Sequence, residues 1–417
     1  MLRPASHRDK LGGVLDRRLM QLRRLTAYHV RIPLKHKVRH ASHSREETDS
    51  LVVRCELDNG IVGWGEGLPR PYVTGETIDN VWSLLAESDL ARQLAEPFEN
   101  LSQAIALLER FKLNVAGCVC PFVERGCFGN SARCAIELAV LDAAARTEGV
   151  PLSRVTELVP ETMAIRESKT QARYGAAITT MSRWKTAVRA WKIRLYGFQQ
   201  TKVKVGVDGI DDAELLRQIR RILPANRIDI RLDANEAWSC ENLEAKLAPL
   251  LPFAITSLEQ PVPHSTVAGL AKLRGKIGVP LMLDESLCSL TDAHRAIESG
   301  TCDLFNIRLS KCGGLIPSLR LAAVAHQAGL GYQLGCQVGE TGILSAAGRH
   351  FACSIANIRY LEGSYDRHLV RERLTVQDIT FGRGGLAPAL TGPGLGVDVD
   401  EAALQRVIVR QQVWLAH

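Results

Sequence analysis

No apolar run in this 417-residue chain approaches the ~20 residues needed to cross a bilayer. The N-terminal "MLRPASHRDKLGG" lacks the apolar stretch of a secretion signal. A cytoplasmic protein with no membrane association is therefore expected. Also absent are H-E-x-x-H, G-x-S-x-G and the P-loop, which removes the usual zinc-protease, nucleophile-elbow and phosphate-cradle chemistries. The eleven cysteines contain no pair of C-x-x-C motifs and fall mostly inside apolar runs, so they read as small reduced core residues. Cys118, Cys120 and Cys127 in "CVCPFVERGC" cluster locally, but without regular ligand spacing or an obvious fourth zinc ligand. Net charge is +7, yet apart from the short "RRLMQLRRL" the basic residues are interspersed with acidic ones. A nucleic-acid footprint would need clustering, so no nucleic-acid partner is expected.

What is present is an ordinary globular composition, 46% hydrophobic and 23% charged, long enough for one large domain and a smaller one. From about Arg23 to Glu66 the pattern is β, with Asp-Asn-Gly at 58–60 marking a hairpin turn. Helical periodicity follows and ends in "SARCAIELAVLDAAART", for which Ser131 is the expected N-cap. After Tyr174 short apolar strands alternate with helical stretches. The strands are "YGAAITT", "TKVKVGV", "RIDIRLDAN", "ITSLEQPV", "PLMLDES", "DLFNIRLSK", "GYQLGCQV" and "NIRYLEG". Eight strands with seven intervening helical segments predict a β/α barrel. The Gly- and Pro-rich tail from Gly384 is expected to fold back on the first domain.

"TKVKVGV" breaks the apolar pattern. Lys202 and Lys204 stand at i and i+2 of a strand and so share one face. Lys204, Asp233, Glu259, Asp284 and Lys311 then follow one another at intervals of 29, 26, 25 and 27 residues, each at or near the end of successive strands. That interval is one βα unit, and in such a barrel all strand C-termini meet at the face that carries the active site. Three carboxylates gathered there repel one another unless they share a hard divalent cation. Mg²⁺ suits the set, with Mn²⁺ as an alternative. Lysines on either side of the trio suit removal of a proton α to a substrate carboxylate, the cation taking up the enediolate charge. A usable lysine base needs a lowered pKa, which burial beside a second ammonium would supply. Lys311 alone could also be read as the Schiff-base lysine of an aldolase-type barrel, although the carboxylate trio argues against it.

"KVKVG", "DANEAW", "EQPV", "DES" and "RLSKCGG" resemble, in order, the barrel motifs of the muconate-lactonizing-enzyme subgroup of the enolase superfamily, and "GWGEGLPRPYVTGET" resembles its capping domain. The resemblance runs over roughly residues 25–400. It implies an α/β protein with a modified (β/α)₇β TIM-type barrel and an α+β capping domain, enolase-like. Residues 1–150 would form the capping domain, 151–372 the barrel and 373–417 a segment returning to the cap. The resemblance further implies that Asp233, Glu259 and Asp284 hold Mg²⁺, that Lys204 and Lys311 are the acid/base pair, and that Lys202 lies beside the substrate carboxylate. A lysine base working beside Mg²⁺ is an established pattern of this superfamily. Members include cycloisomerases, o-succinylbenzoate synthases, N-acylamino acid racemases and dipeptide epimerases. The expected enzyme is therefore an isomerase, a racemase or epimerase of amino-acid derivatives or a cycloisomerase, with an o-succinylbenzoate-synthase-like dehydratase as the alternative. A small-molecule carboxylate substrate and a homo-oligomeric assembly are expected.

Substrate choice is less legible. Dipeptide epimerases usually carry Asp-x-Asp at the end of the eighth strand, where "YLEG" here places Tyr360 and Glu362. The seventh-strand end "GCQVGETG" carries Gln337 and Glu340 with an extra residue relative to the usual pattern. The basic loop "KHKVRHASHS" offers Lys37, Arg39, His40 and His43 to the distal part of the substrate and favours a second anionic group there, such as an N-succinyl.

Overall fold

The structure is a computed structural model that describes residues 19–39, 44–115, 122–179 and 182–416. His40, His43, Cys118 and Cys120 lie outside the described residues, and Arg39 ends the first strand.

β1 (Leu22–Arg39), β2 (Ser44–Leu57) and β3 (Val62–Gly67) form an antiparallel sheet. The Asp-Asn-Gly turn forms as expected, with Gly60 at φ 82° and its N–H donating to the Leu57 carbonyl at 3.0 Å. Among the described residues, three helices of ten residues or more follow before the barrel: α1 (Ile78–Glu87), α2 (Leu101–Arg110) and α3 (Asn130–Glu148). α3 lies so close to β3 that a Cβ on Gly65 would come within 2.0 Å of the Ala135 carbonyl oxygen. Only glycine permits that approach, and it buries most of α3. The expected Ser131 cap is not made: α3 starts at Asn130 behind Gly129. The Ser131 hydroxyl and N–H both donate instead to the Glu76 carboxylate, at 2.7 and 3.0 Å.

The short β4 (Gln171–Arg173) precedes the eight expected parallel strands. These are β5 (Ala176–Ile178), β6 (Gln200–Lys204), β7 (Asp229–Asp233), β8 (Ile255–Glu259), β9 (Leu281–Leu283), β10 (Leu304–Ile307), β11 (Gly331–Leu334) and β12 (Ile358–Leu361). They are neighbours in chain order, and the edges meet where Gly175 N–H donates to the Leu361 carbonyl at 2.8 Å. Between and after them come α4 (Arg183–Tyr196), α5 (Asp212–Ile222), α6 (Leu290–Ser299), α7 (Leu309–Cys312), α8 (Leu315–Gln327) and α9 (Gly342–Ser354). β8 and β9 are joined by 3₁₀ turns over His264–Lys272 rather than an α-helix, after a segment broken by Pro261 and Pro263. β13 (Leu386–Pro388) pairs with β4, and β14 (Ile408–Ala416) pairs with β1.

The alternation of each barrel strand positions the site. Val203, Ile230, Leu232, Leu258, Leu281 and Leu283 are fully or almost fully buried, and each such side chain contributes roughly 1.5–3 kcal/mol by leaving water. Register pairs Lys202 with Arg231, Lys204 with Asp233, Asp233 with Glu259 and Asn306 with Gln333, so the intervening polar residues share the inner face. Beneath them Met282, Leu304 and Tyr360 form a separate small apolar cluster that plugs the interior. Among the described residues no helix is long and apolar enough to cross a membrane.

Candidate active site

Lys204, Asp233 and Glu259 are the last residues of β6, β7 and β8, and Asp284 directly follows β9. Lys311 differs. It lies past the end of β10, in the single turn of α7, which Gly313 ends at φ 92°. Its ammonium folds back to the strand ends, donating to the Asn306 carbonyl at 2.8 Å and to the Asp284 carbonyl and Oδ1 at 2.6 and 2.8 Å.

Lys202 is the hub of the other half. Its Nζ lies 3.2 Å from Asp233, 3.4 Å from Glu259 and 2.8 Å from Glu362. Lys204 donates instead to Asn235 Oδ1 at 2.7 Å, and the Asn235 backbone N–H donates to Asp233 Oδ1 at 3.1 Å. Burial alone would lower the Lys202 and Lys311 pKa values, as the sequence suggested. The carboxylates outweigh it: Glu259, Glu362 and Asp233 raise Lys202 well above the usual lysine range, and Asp284 raises Lys311. The Lys202 ammonium is set among acids carried at the ends of three other strands.

The acids divide in the same way. Burial raises the Glu259 carboxyl to about 8 despite Lys202, with Asp233 pushing in the same direction. Burial would also raise Asp284, but Arg308 and Lys311 hold it below the usual carboxylate range. Glu362, opposed by burial but facing Lys202 and Arg231, is held down to about 2.

Several residues at this centre were missed from the sequence. Arg308 pairs with Asp284 and lies 3.7 Å from Glu259. Asn306 donates to Glu259 Oε1 at 2.8 Å. Arg231, buried with its guanidinium 4.7 Å from the Tyr360 ring centroid, pairs with Glu362. Strand alternation carried their signal: Arg231 stands at i and Asp233 at i+2 of one strand, and Asn306 and Arg308 stand in the same relation at the end of the strand before Lys311.

Glu340 and Glu362 line one small cavity between the ends of β11 and β12. Glu340 Oε1 accepts from the Gln337 N–H at 2.6 Å, and burial pushes the Glu340 carboxyl up to about 8. The Gln337 side-chain amide is buried with neither polar atom partnered among the described residues. Cys127 packs with Val73 and Cys288 in a small apolar cluster, as a core cysteine would.

The cap fixes the loops that carry these groups. Asn130 Nδ2 donates to the carbonyls of Lys311 at 2.7 Å and Cys288 at 2.8 Å. Arg125 pairs with Asp292 at 2.8 Å and donates to the Glu285 carbonyl at 2.7 Å.

As a donor set, Asp233, Glu259 and Asp284 are hard oxygens of the kind Mg²⁺ takes. Glu259 Oε2 is buried and has no hydrogen-bond partner among the described residues, an orphan that a cation would satisfy. In this structure Lys202 and Arg308 provide the positive charge between the three. Among the described residues no group of three or more His, Cys, Asp or Glu side chains is arranged to hold a metal ion.

Residues 23–156 match the family described as mandelate racemase / muconate lactonizing enzyme, N-terminal domain. Residues 185–403 match the enolase C-terminal domain-like family. The N-succinyl-L-Arg/Lys racemase of Bacillus cereus is 27% identical over 403 residues, covering 94% of this chain and all of that protein. Its crystal structure superposes with a TM-score of 0.81 at 25% identity, over 94% of this chain and 99% of that one. The L-Lys-D/L-Arg epimerase of Methylococcus capsulatus is 30% identical over 341 residues, 80% of this chain and 88% of that protein. With both of its domains matched and the barrel charges at the strand ends, the chain belongs to the mandelate racemase / muconate lactonizing enzyme family of the enolase superfamily.

Proposed function

We propose that this isomerase is a Mg²⁺-dependent racemase of N-acylated amino acids whose acyl group is anionic. The observation that carries the two-base reading is the strand order. β6 and β10 stand four places apart in a ring of eight, so Lys204 and the turn bearing Lys311 lie on opposite sides of the barrel axis. One lysine can take the α-proton from one face of the substrate while the other returns a proton to the opposite face, which inverts the α-carbon.

Asp233, Glu259 and Asp284 are the residues that would hold Mg²⁺. When bound, it supplies the charge that makes the substrate's α-proton acidic. Lys202, tied to Asp233, Glu259 and Glu362, orients two of the three acids and places positive charge where a carboxylate would lie. Asn235 holds the Lys204 ammonium, and Asn306 fixes one oxygen of Glu259. The water-excluding floor is the Met282, Leu304 and Tyr360 cluster.

The eighth strand supports an acylated rather than a free amino group. Tyr360 faces the interior, its hydroxyl donating to Thr256 Oγ1 at 2.8 Å. Glu362 is neutralised by Lys202 and Arg231. Glu362 is thus already spoken for and offers no free charge to a substrate ammonium, whereas an amide needs none. The relative from Bacillus cereus, named for N-succinyl-Arg/Lys racemisation, aligns over nearly the whole chain and supports the same class.

The test is exchange of the substrate α-proton in D₂O with Mg²⁺, across N-succinyl amino acids, dipeptides and muconate-like acids. N-succinyl substrates should exchange and racemise. Lys204→Ala and Lys311→Ala should each lose racemisation by at least ~10³-fold while remaining folded, and chelation should stop exchange until Mg²⁺ is returned. Preferential turnover of dipeptides would sink the acyl assignment, and full racemisation by either lysine variant would sink the two-base reading.

A further inference from the structure

Helix α4 carries a surface that the reaction does not use. It turns Thr186, Ala190 and Ile193 to the core. On its outer side Trp184, Trp191, Leu195 and Tyr196 are 76, 47, 70 and 40% exposed. Trp184, the half-buried Val188, Trp191 and Leu195 recur at helical spacing, so they form one stripe along the helix. An exposed apolar stripe with two indoles on one helix is not the scattered exposure normal for a surface.

The flanking charge has one sign. α4 contains Arg183, Lys185, Arg189, Lys192 and Arg194 and no Asp or Glu. Arg183 reaches Glu214 of α5 at 3.4 Å, Arg189 donates to the Ala177 carbonyl at 3.2 Å, and the Arg194 guanidinium lies 5.2 Å from the Trp191 ring centroid. Lys185 and Lys192 have no ion pair among the described residues. Across from them stands His36 of β1, on the far wall of a groove of about 440 Å³.

A second copy of the chain fits this face poorly, because a two-fold contact would set the same cations against each other. An anionic surface with an apolar layer beneath it fits both halves of the pattern. Indole and phenol rings favour the boundary between headgroups and acyl chains, while Lys and Arg stems extend along apolar surface and leave their charges at the headgroups. We propose that α4 docks this protein on an anionic lipid surface, with Trp184, Trp191 and Leu195 entering the boundary and Lys185 and Lys192 contacting headgroups.

The full chain, co-sedimented with vesicles of phosphatidylcholine alone or with added phosphatidylglycerol, tests this. Binding should require phosphatidylglycerol, weaken with added salt and shift tryptophan emission to the blue. Each basic residue near an anionic membrane contributes roughly a five-fold factor, so Lys185→Glu with Lys192→Glu should weaken partitioning by at least about 25-fold. Trp184→Ala with Trp191→Ala should abolish the blue shift. All four positions are exposed, and an unchanged far-UV spectrum verifies the fold. Failure of the native chain to bind, equal binding to both vesicle types, or full binding by the charge-reversed variant would each overturn the proposal. Binding to poly-L-glutamate without binding to vesicles would also overturn it, in favour of an acidic protein partner.

Discussion

Asn130 joins the cap to the turn that carries Lys311, and its removal should be felt in both stability and turnover. Its amide nitrogen donates to two buried carbonyls, those of Lys311 at 2.7 Å and Cys288 at 2.8 Å. Asn130→Ala leaves both carbonyls unpaired. At about 1–3 kcal/mol for each unsatisfied group, and with water able to enter part of the space, the expected loss is about 2–4 kcal/mol. That corresponds to a Tm lower by about 2–5 °C, read by thermal unfolding. Asn130→Asp separates the electrostatic part from the packing part. A carboxylate facing two carbonyl oxygens has its pKa raised in the folded state, so its penalty relative to Ala is absent below the unfolded aspartate value and grows as pH rises through the folded one. The difference in Tm between the Asp and Ala variants should therefore widen from acid to neutral pH. Because the bond fixes the Lys311 turn, α-proton exchange should fall in kcat more than in KM. If Asn130→Ala unfolds like the native chain, or if the Asp and Ala variants keep a constant difference across pH, the assignment of Asn130 as a positioning residue is wrong.

Other substitutions probe the same joints. Gly339 has φ 95°, and a Cβ there would lie 2.4 Å from Thr48 Oγ1 of β2. Gly339→Ala should cost roughly 1–3 kcal/mol, and adding Thr48→Gly should recover part of it, measured as a double-mutant cycle. Burial raises the Glu76 carboxyl from 4.5 to about 7, against the hydrogen bonds from Ser131 and Thr74. Its contribution to stability is complete below its unfolded value and lost as pH rises through the folded one. Glu76→Gln should therefore gain about 3 kcal/mol relative to the native chain between acid and neutral pH, seen in paired denaturation curves; a flat difference refutes the buried-acid account. Glu362→Gln removes the anion between Lys202 and Arg231, so α-proton exchange should fall; an unchanged rate would mean that the pairing does not order the site.

Much of the molecule was legible in the sequence because its signals are local or periodic. Alternation in the eight strands, the βα interval from Lys204 to Lys311 and the Asp-Asn-Gly turn each depend on a few neighbouring residues or on a repeat length. They were enough to place the barrel and the strand-end lysines and acids. Pairing is different, because it is decided between strands far apart in the chain. That Lys202 sits among Asp233, Glu259 and Glu362, rather than beside Lys204 as a second free ammonium, follows from register across β6, β7, β8 and β12. Ser131, read as a helix cap, is taken by Glu76, 55 residues away in the chain. Arg308, Arg231 and Asn130 gain their roles only once the cap and barrel bring their partners within hydrogen-bond reach. The sequence by itself determined which side chains reach the barrel mouth, since period 2 and the βα interval are properties of the backbone. Only the tertiary structure decided which charge neutralises which, since that depends on the few ångströms separating side chains from different strands.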